Sequence, residues 1–227
     1  MRRWSATAVA APGGRAGGGG WRSFRCGAPA RLGRFSPPEF GAAGAEPLRN
    51  DPFRFDRFVA MHHVYWPRAL AEIEKGRRRT CWPELLLPNP PHLVYGDAGV
   101  AEHGRPKSRD YCLRDPPPNE MGGFAAARAY LAFPPTADGV HLRARYLELV
   151  RLIDARCNDP PPAGGVGLMR LLGPVDGRKY INSLELFAKA SDGFDGEVHA
   201  LCAAALRRAY SNNDAPLSSS FVDEVVT

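Results

Sequence analysis

Apolar residues recur at helical spacing in several blocks of this chain, with polar residues on the opposite side of each block. Phe55, Phe58, Val59 and His62 follow Asp51-Pro52, which reads as an N-cap and a first-turn proline. A second run, Ala69 to Lys75, stops at Gly76, the usual residue for a left-handed helix end. The spacing then predicts a helix over Phe124 to Phe133, with Phe124, Ala127 and Leu131 on one side and Pro134-Pro135 ending it. Val140 to Cys157 carries the strongest pattern: Leu142, Tyr146, Leu149, Val150 and Ile153 on one side, Arg143, Arg145, Glu148, Arg151 and Asp154 on the other. Val166 to Leu172 is a short apolar run, Lys179 to Ala190 reads as helix, and Asp195 to Tyr210 forms a last one with Val198, Leu201, Cys202, Ala205 and Leu206 inward. No segment alternates in the manner of a strand.

The expectation is an all-α fold: one compact helical domain of about six helices with long proline-rich loops, over residues 51–210. Prolines 83, 88, 90, 91, 106, 116, 117 and 118 keep a long helix out of Trp82 to Pro118, where only Lys107 to Arg114 has room for a short turn. Asn158 to Gly165 interrupts again. Residues 1–50 read as an arginine- and glycine-rich disordered leader and linker, and residues 211–227 as a polar tail.

Charge changes this picture in one respect. The 227-residue chain carries +6, but residues 1–38 hold seven arginines and no acid, leaving 23 basic and 24 acidic groups in the rest. The folded body is close to neutral, which argues against a nucleic-acid surface on it. An acid-free, arginine-bearing leader has the composition of an organelle transit peptide, although Gly17 to Gly20 would break an amphipathic helix. A disordered extension or a misassigned start is the other reading. Localisation is accordingly cytoplasmic, or mitochondrial or plastid if the leader targets. Five widely spaced cysteines without a Cys-x-x-Cys pair fit a reducing compartment. No stretch approaches the roughly 20 apolar residues of a membrane span, so a soluble protein is expected.

Asp51-Pro52-Phe53, Arg57-Phe58-Val59, Tyr65, Ala69-Leu70-Ala71-Glu72-Ile73, Gly76-Arg77-Arg78 and Cys81-Trp82 together resemble the opening of the bacterial domain-of-unknown-function 1810 family. Ser108, Tyr111, the Ala126 to Leu131 block, Leu142 with Leu147, and Lys179, Ser183, Leu186 and Phe187 resemble its later motifs. Cys81 stands where that family has histidine, and Asn89 where it has glutamine. The resemblance implies a small α-helical domain without an established activity.

It also draws Arg78, Cys81, Trp82, Asn89, Tyr111, Lys179 and Ser183 into one candidate ligand-binding set. A guanidinium, an ammonium, an indole face and hydroxyls suit a small anionic, nucleotide-like ligand. The competing reading places Trp82 in the core and Arg78 and Lys179 at solvated helix ends. Cys81 follows three arginines, which favour a thiolate, and His62 or His63 is near in sequence, so a Cys/His nucleophilic pair can be drawn. The adjacent His62 and His63 diverge by about 100° on a helix and do not make a metal pair. No complete acid/base, nucleophile or metal set emerges and no cofactor is implied, so the expected role is a non-catalytic interaction or structural module. Catalysis stays undecided, with the balance against it. An enzyme or sensor that binds a small anion through Arg78, Trp82, Lys179 and Ser183 is the alternative. No partner is identifiable from the sequence.

Overall fold

A computed structural model describes residues 51–91, 111–118, 122–158 and 165–211. The leader, residues 107–110 of the expected short turn, Ser108 and the tail beyond 211 lie outside the described residues, as do His92, His103, Cys26 and the prolines at 160–162. Seven helices are described: α1 Asp56–Glu74, α2 Pro83–Leu86, α3 Phe124–Ala132, α4 Leu142–Asn158, α5 Leu168–Leu172, α6 Pro174–Ser191 and α7 Gly196–Ser211. Among the described residues there is no sheet, only an isolated parallel bridge between Asn89 and Cys112, and no helix is long and apolar enough to cross a membrane. The fold is all-α.

The two helical runs expected before Gly76 are one helix. Pro67 sits inside α1 and removes a hydrogen bond to the carbonyl four residues back. That residue, His63, is exposed and so is Pro67, so the released carbonyl lies on the solvent side. Burial of Phe58, Met61, Ala69 and Ile73 on the other face holds the helix together across the interruption. The start also differs from expectation. Asp51 is not the N-cap, since the cap position falls on Phe55. Instead Asp51 organises a turn before the helix: its carbonyl accepts from the Arg54 N–H at 3.1 Å, and its carboxylate accepts from the Asp56 N–H at 3.2 Å.

The helix α6 forms the centre and packs against α2, α3, α5 and α7, while α1 packs on α2 and α4. Its buried positions include Tyr180, Ile181, Leu184, Leu186, Phe187, Ala188 and Ala190, a distribution around most of the helix that suits an element covered on several sides. Aromatic rings connect the layers. Tyr130 of α3 meets Phe55, Phe58 and Phe187 edge-on with centroids 5.6 Å away in each case, and Phe187 meets Tyr146 of α4 at 4.2 Å. Such pairs contribute about 0.5–1.5 kcal/mol each beyond their buried area.

The proline-rich stretch contributes directly to this core. Pro83 occupies the first turn of α2, where the missing N–H has no partner to lose, and Trp82, Leu85, Leu86, Leu87 and Leu113 are all fully buried. Gly123, at φ +73°, starts α3; a Cβ there would stand 2.7 Å from the Leu113 carbonyl oxygen, so backbone meets backbone where no side chain fits.

Candidate functional site

Helix α6 presents Asp176 and Lys179 one turn apart, and two other segments reach them. Arg78, in the loop after α1, places Nε 3.1 Å from Asp176 Oδ2 and 2.7 Å from the Leu172 carbonyl oxygen. Lys179 Nζ lies 2.6 Å from Glu84 Oε2 of α2 and 3.4 Å from Asp176 Oδ1. Arg78, Asp176, Lys179 and Glu84 thus form an alternating chain of two cations and two carboxylates, each with side-chain exposure of 20% or less. The structure brings Arg78 and Lys179 onto the same Asp176 carboxylate, and the two acids neutralise them. Partly buried pairs of this kind fix relative positions more than they add stability; here they tie the loop after α1 and helix α2 to α6.

Trp82 and Ser183 lie apart from this chain of charges, inside the core. The Trp82 indole N–H donates to Glu72 Oε2 at 2.9 Å, and the same carboxylate accepts from the Arg79 N–H at 2.8 Å, the Thr80 N–H at 3.1 Å and the Thr80 hydroxyl at 2.9 Å. Burial pushes the Glu72 pKa up, but these hydrogen bonds together outweigh it and hold the carboxyl below its ordinary value. Glu72 is therefore a knot that folds the loop back onto the end of α1. Ser183 is fully buried on α6, with its Oγ 3.4 Å from the Tyr146 hydroxyl, which also lies 3.8 Å from Cys202 Sγ. Burial pushes the Cys202 thiol up to about 12, against a smaller opposing effect of the Tyr146 hydroxyl.

The remaining candidates are spread around the fold. Asn89 Nδ2 donates to the Leu87 carbonyl at 2.8 Å, and the Asn89 backbone carbonyl accepts from the Leu113 N–H at 2.8 Å. Tyr111 packs edge-on against Phe58 at 5.8 Å. Cys81 is half-buried. His62, drawn as its partner, is fully buried, with Nε2 3.5 Å from the Tyr130 hydroxyl and its ring 5.5 Å from that of Trp66. Desolvation first, then the nearby Arg145 and His63 charges, bring its pKa down to about 3. His63 instead turns outward to Asp138, 2.8 Å away.

Two groups were not read from the sequence. The acids Glu72, Glu84 and Asp176 look in sequence like ordinary helix-surface carboxylates. A cavity of about 640 Å³ also opens at the end of α1, lined by Lys75, Gly76, Arg77, Arg156, Gly165, Val166 and Arg170. Only the charges beside Gly76 hint at it.

No family model and no curated protein matches the chain. Among solved structures, the conserved hypothetical protein Rv1873 from Mycobacterium tuberculosis superposes with a TM-score of 0.53 at 22% identity, over 78% of this chain and 99% of that one. At that identity the shared feature is the fold. This helical architecture is one that a protein without an assigned function also adopts.

Proposed function

We propose that this chain is a non-catalytic helical binding module related to the domain-of-unknown-function 1810 family. One observation carries the reading: side chains capable of driving a reaction are occupied in holding the fold. Glu72 accepts from four donors, Arg78 and Lys179 are neutralised by Asp176 and Glu84, and His62 and Cys202 are fully buried with pKa values moved away from neutrality in the direction of their uncharged forms. A general acid or base works best with a pKa near the operating pH and within reach of a substrate proton. Neither His62 nor Cys202 meets both conditions.

The alternative, an enzyme or sensor holding a small anion on Arg78, Trp82, Lys179 and Ser183, requires Asp176 and Glu84 to release their cations and two buried side chains to become accessible. The covalent-bond chemistry of Cys81 needs a base, and the two histidines nearest in sequence are engaged with Tyr130, Trp66 and Asp138. The test is a turnover screen of the purified full chain with phosphate ester, carboxyl ester, peptide and nucleoside triphosphate substrates. No turnover above buffer is expected. Turnover that disappears in Cys81→Ala or Lys179→Met would refute the non-catalytic reading.

A further inference from the structure

We infer that His62 of α1 and Arg145 of α4, which both contact the Trp66 ring, form a binding site for one small carboxylate. This inference names the ligand class of the binding module proposed above and so rests on that reading.

Two buried polar atoms without a hydrogen-bond partner carry it, His62 Nδ1 and Arg145 Nη1. Both belong to one cluster. The His62 ring lies 5.5 Å from that of Trp66, the Arg145 guanidinium carbon stands 5.0 Å over the same indole, and His62 Nε2 is 3.5 Å from the Tyr130 hydroxyl. His62 and Tyr130 are fully buried, whereas Trp66 and Arg145 are half-buried and form the solvent side of the cluster. A buried polar atom left unpaired costs stability, and folded proteins hold few. Asp51, Arg57 and Asn89 also leave one atom unpaired, but each bonds through another atom of the same group. Among the described residues the Arg145 side chain has only the indole, whose face accepts at most a weak N–H···π contact.

The protonation pattern follows from Tyr130. Its buried hydroxyl has His62 Nε2 as its polar neighbour among the described residues. If Nε2 carried the ring proton, the hydroxyl hydrogen would have no acceptor. With the hydroxyl donating to Nε2, the ring proton sits on Nδ1 and only that N–H is left over. Arg145 Nη1 is a donor in any state. Both unpaired atoms therefore donate, and what they lack is an acceptor.

Charge narrows the acceptor. Apart from burial itself, the groups that act electrostatically on His62 are Arg145 and His63, and on Tyr130 it is Arg145. No carboxylate is among them, and Asp138 is held by His63 at 2.8 Å. One guanidinium charge matches a monoanion, and two donors from different helices match the two oxygens of a carboxylate. A neutral His62 adds a donor without a second positive charge, which disfavours a phosphate dianion.

The experiment is an NMR titration of the isotope-labelled full chain near neutral pH with sodium formate, sodium acetate and sodium chloride separately, ionic strength being held with sodium fluoride. The ring nitrogens of His62, assigned by their loss in His62→Gln, and the indole N–H of Trp66 are followed. In the free protein the His62 proton is expected on Nδ1. Formate and acetate are expected to shift both groups saturably with millimolar affinity, the range that so few heavy atoms support, and chloride to act more weakly. Arg145→Gln is expected to lose about tenfold or more in affinity, with its urea midpoint as the folding control. Should that variant lose stability, Arg145→Lys keeps a cation but not the planar donor geometry and is expected to bind more weakly than wild type. Absence of a saturable shift overturns the inference, and so does binding undiminished in the Arg145 variants. A His62 proton on Nε2 overturns it as well, because Nδ1 would then accept. A long-lived water at His62 without any response to formate or acetate overturns it in favour of a structural water, and an equal response to chloride in favour of an unselective anion site. Failure of the two readings is distinguishable: turnover in the substrate screen sinks the non-catalytic module and leaves the site, whereas no carboxylate binding sinks the site and leaves the module.

Discussion

Acid should weaken this fold in two separate steps, and the first belongs to His62. Its side chain is fully buried, and its pKa lies at about 3 against an ordinary 6.5, because burial, then Arg145 and His63, oppose a charge there. The folded value is depressed, so the unfolded chain takes up the proton first. Stability linked to His62 is complete above the unfolded value and is lost as pH falls from there toward the folded value. At pH 5, about 1.5 units below the unfolded value, the loss is about 2 kcal/mol at 1.36 kcal/mol per unit. This figure hardly depends on the folded pKa as long as that value stays well under 5. A loss of about 2 kcal/mol is a large share of the 5–15 kcal/mol typical of a domain. The perturbation is His62→Gln, which keeps a polar partner for the Tyr130 hydroxyl and does not titrate. Urea unfolding followed by tryptophan fluorescence at pH 8 and pH 5 gives the slope for each protein. Wild type is expected to lose about 2 kcal/mol more than the variant across this interval. His63 and the other histidines are common to both proteins and cancel. A variant with the same pH slope as wild type would refute the argument, whatever its stability at pH 8.

Glu72 governs the second step. Its carboxyl is held below the ordinary value by four hydrogen bonds, so its contribution survives at pH 5 and is lost only as pH falls below about 4.3 toward the folded value. Glu72→Ala leaves the buried Trp82 indole N–H unpaired and frees the Arg79 and Thr80 N–H groups to water; a loss of about 3–5 kcal/mol is expected, and a urea-derived loss under about 1 kcal/mol would contradict the knot described for that carboxylate. Cys202, buried and with its thiol pushed up to about 12, should resist iodoacetamide at pH 8 in the native protein and react once the chain is unfolded in urea. Native labelling at Cys202, read by peptide mass, would mean that the interface of α4, α6 and α7 opens.

Much of the helical layout is legible because amphipathic spacing over a dozen residues or more is a strong local signal. The stripe of α4 reads correctly, with Leu142, Tyr146, Leu149, Val150 and Ile153 all buried; in α7 Val198, Cys202, Ala205 and Leu206 are buried, while Leu201 is only half-buried at the edge of the core. Phe124 breaks the reading of α3, as it is 43% exposed at the first position of the helix. Proline misleads in both directions. Inside α1, Pro67 suggests a boundary that tertiary burial overrides; Pro174, in a Gly-Pro-Val-Asp-Gly setting that resembles a turn, is the first residue of α6. The Leu85 to Leu87 run was hidden among prolines, and it is core. In the candidate site the cations Arg78 and Lys179 are visible in sequence, but their neutralising acids are not: Glu84 and Lys179 are 95 residues apart, and no local pattern pairs them. The same holds for the basic cavity, whose four charges come from three separate segments.

The bridge between Asn89 and Cys112 bears on how this protein tolerates change. It brings two positions far apart in sequence to the same point, with the Leu113 N–H held on the Asn89 carbonyl at 2.8 Å. Doubling the length of a flexible loop costs in general only about 0.6 kcal/mol in closure entropy. A change in the number of residues between Asn89 and Cys112 is therefore expected to cost the architecture beneath little.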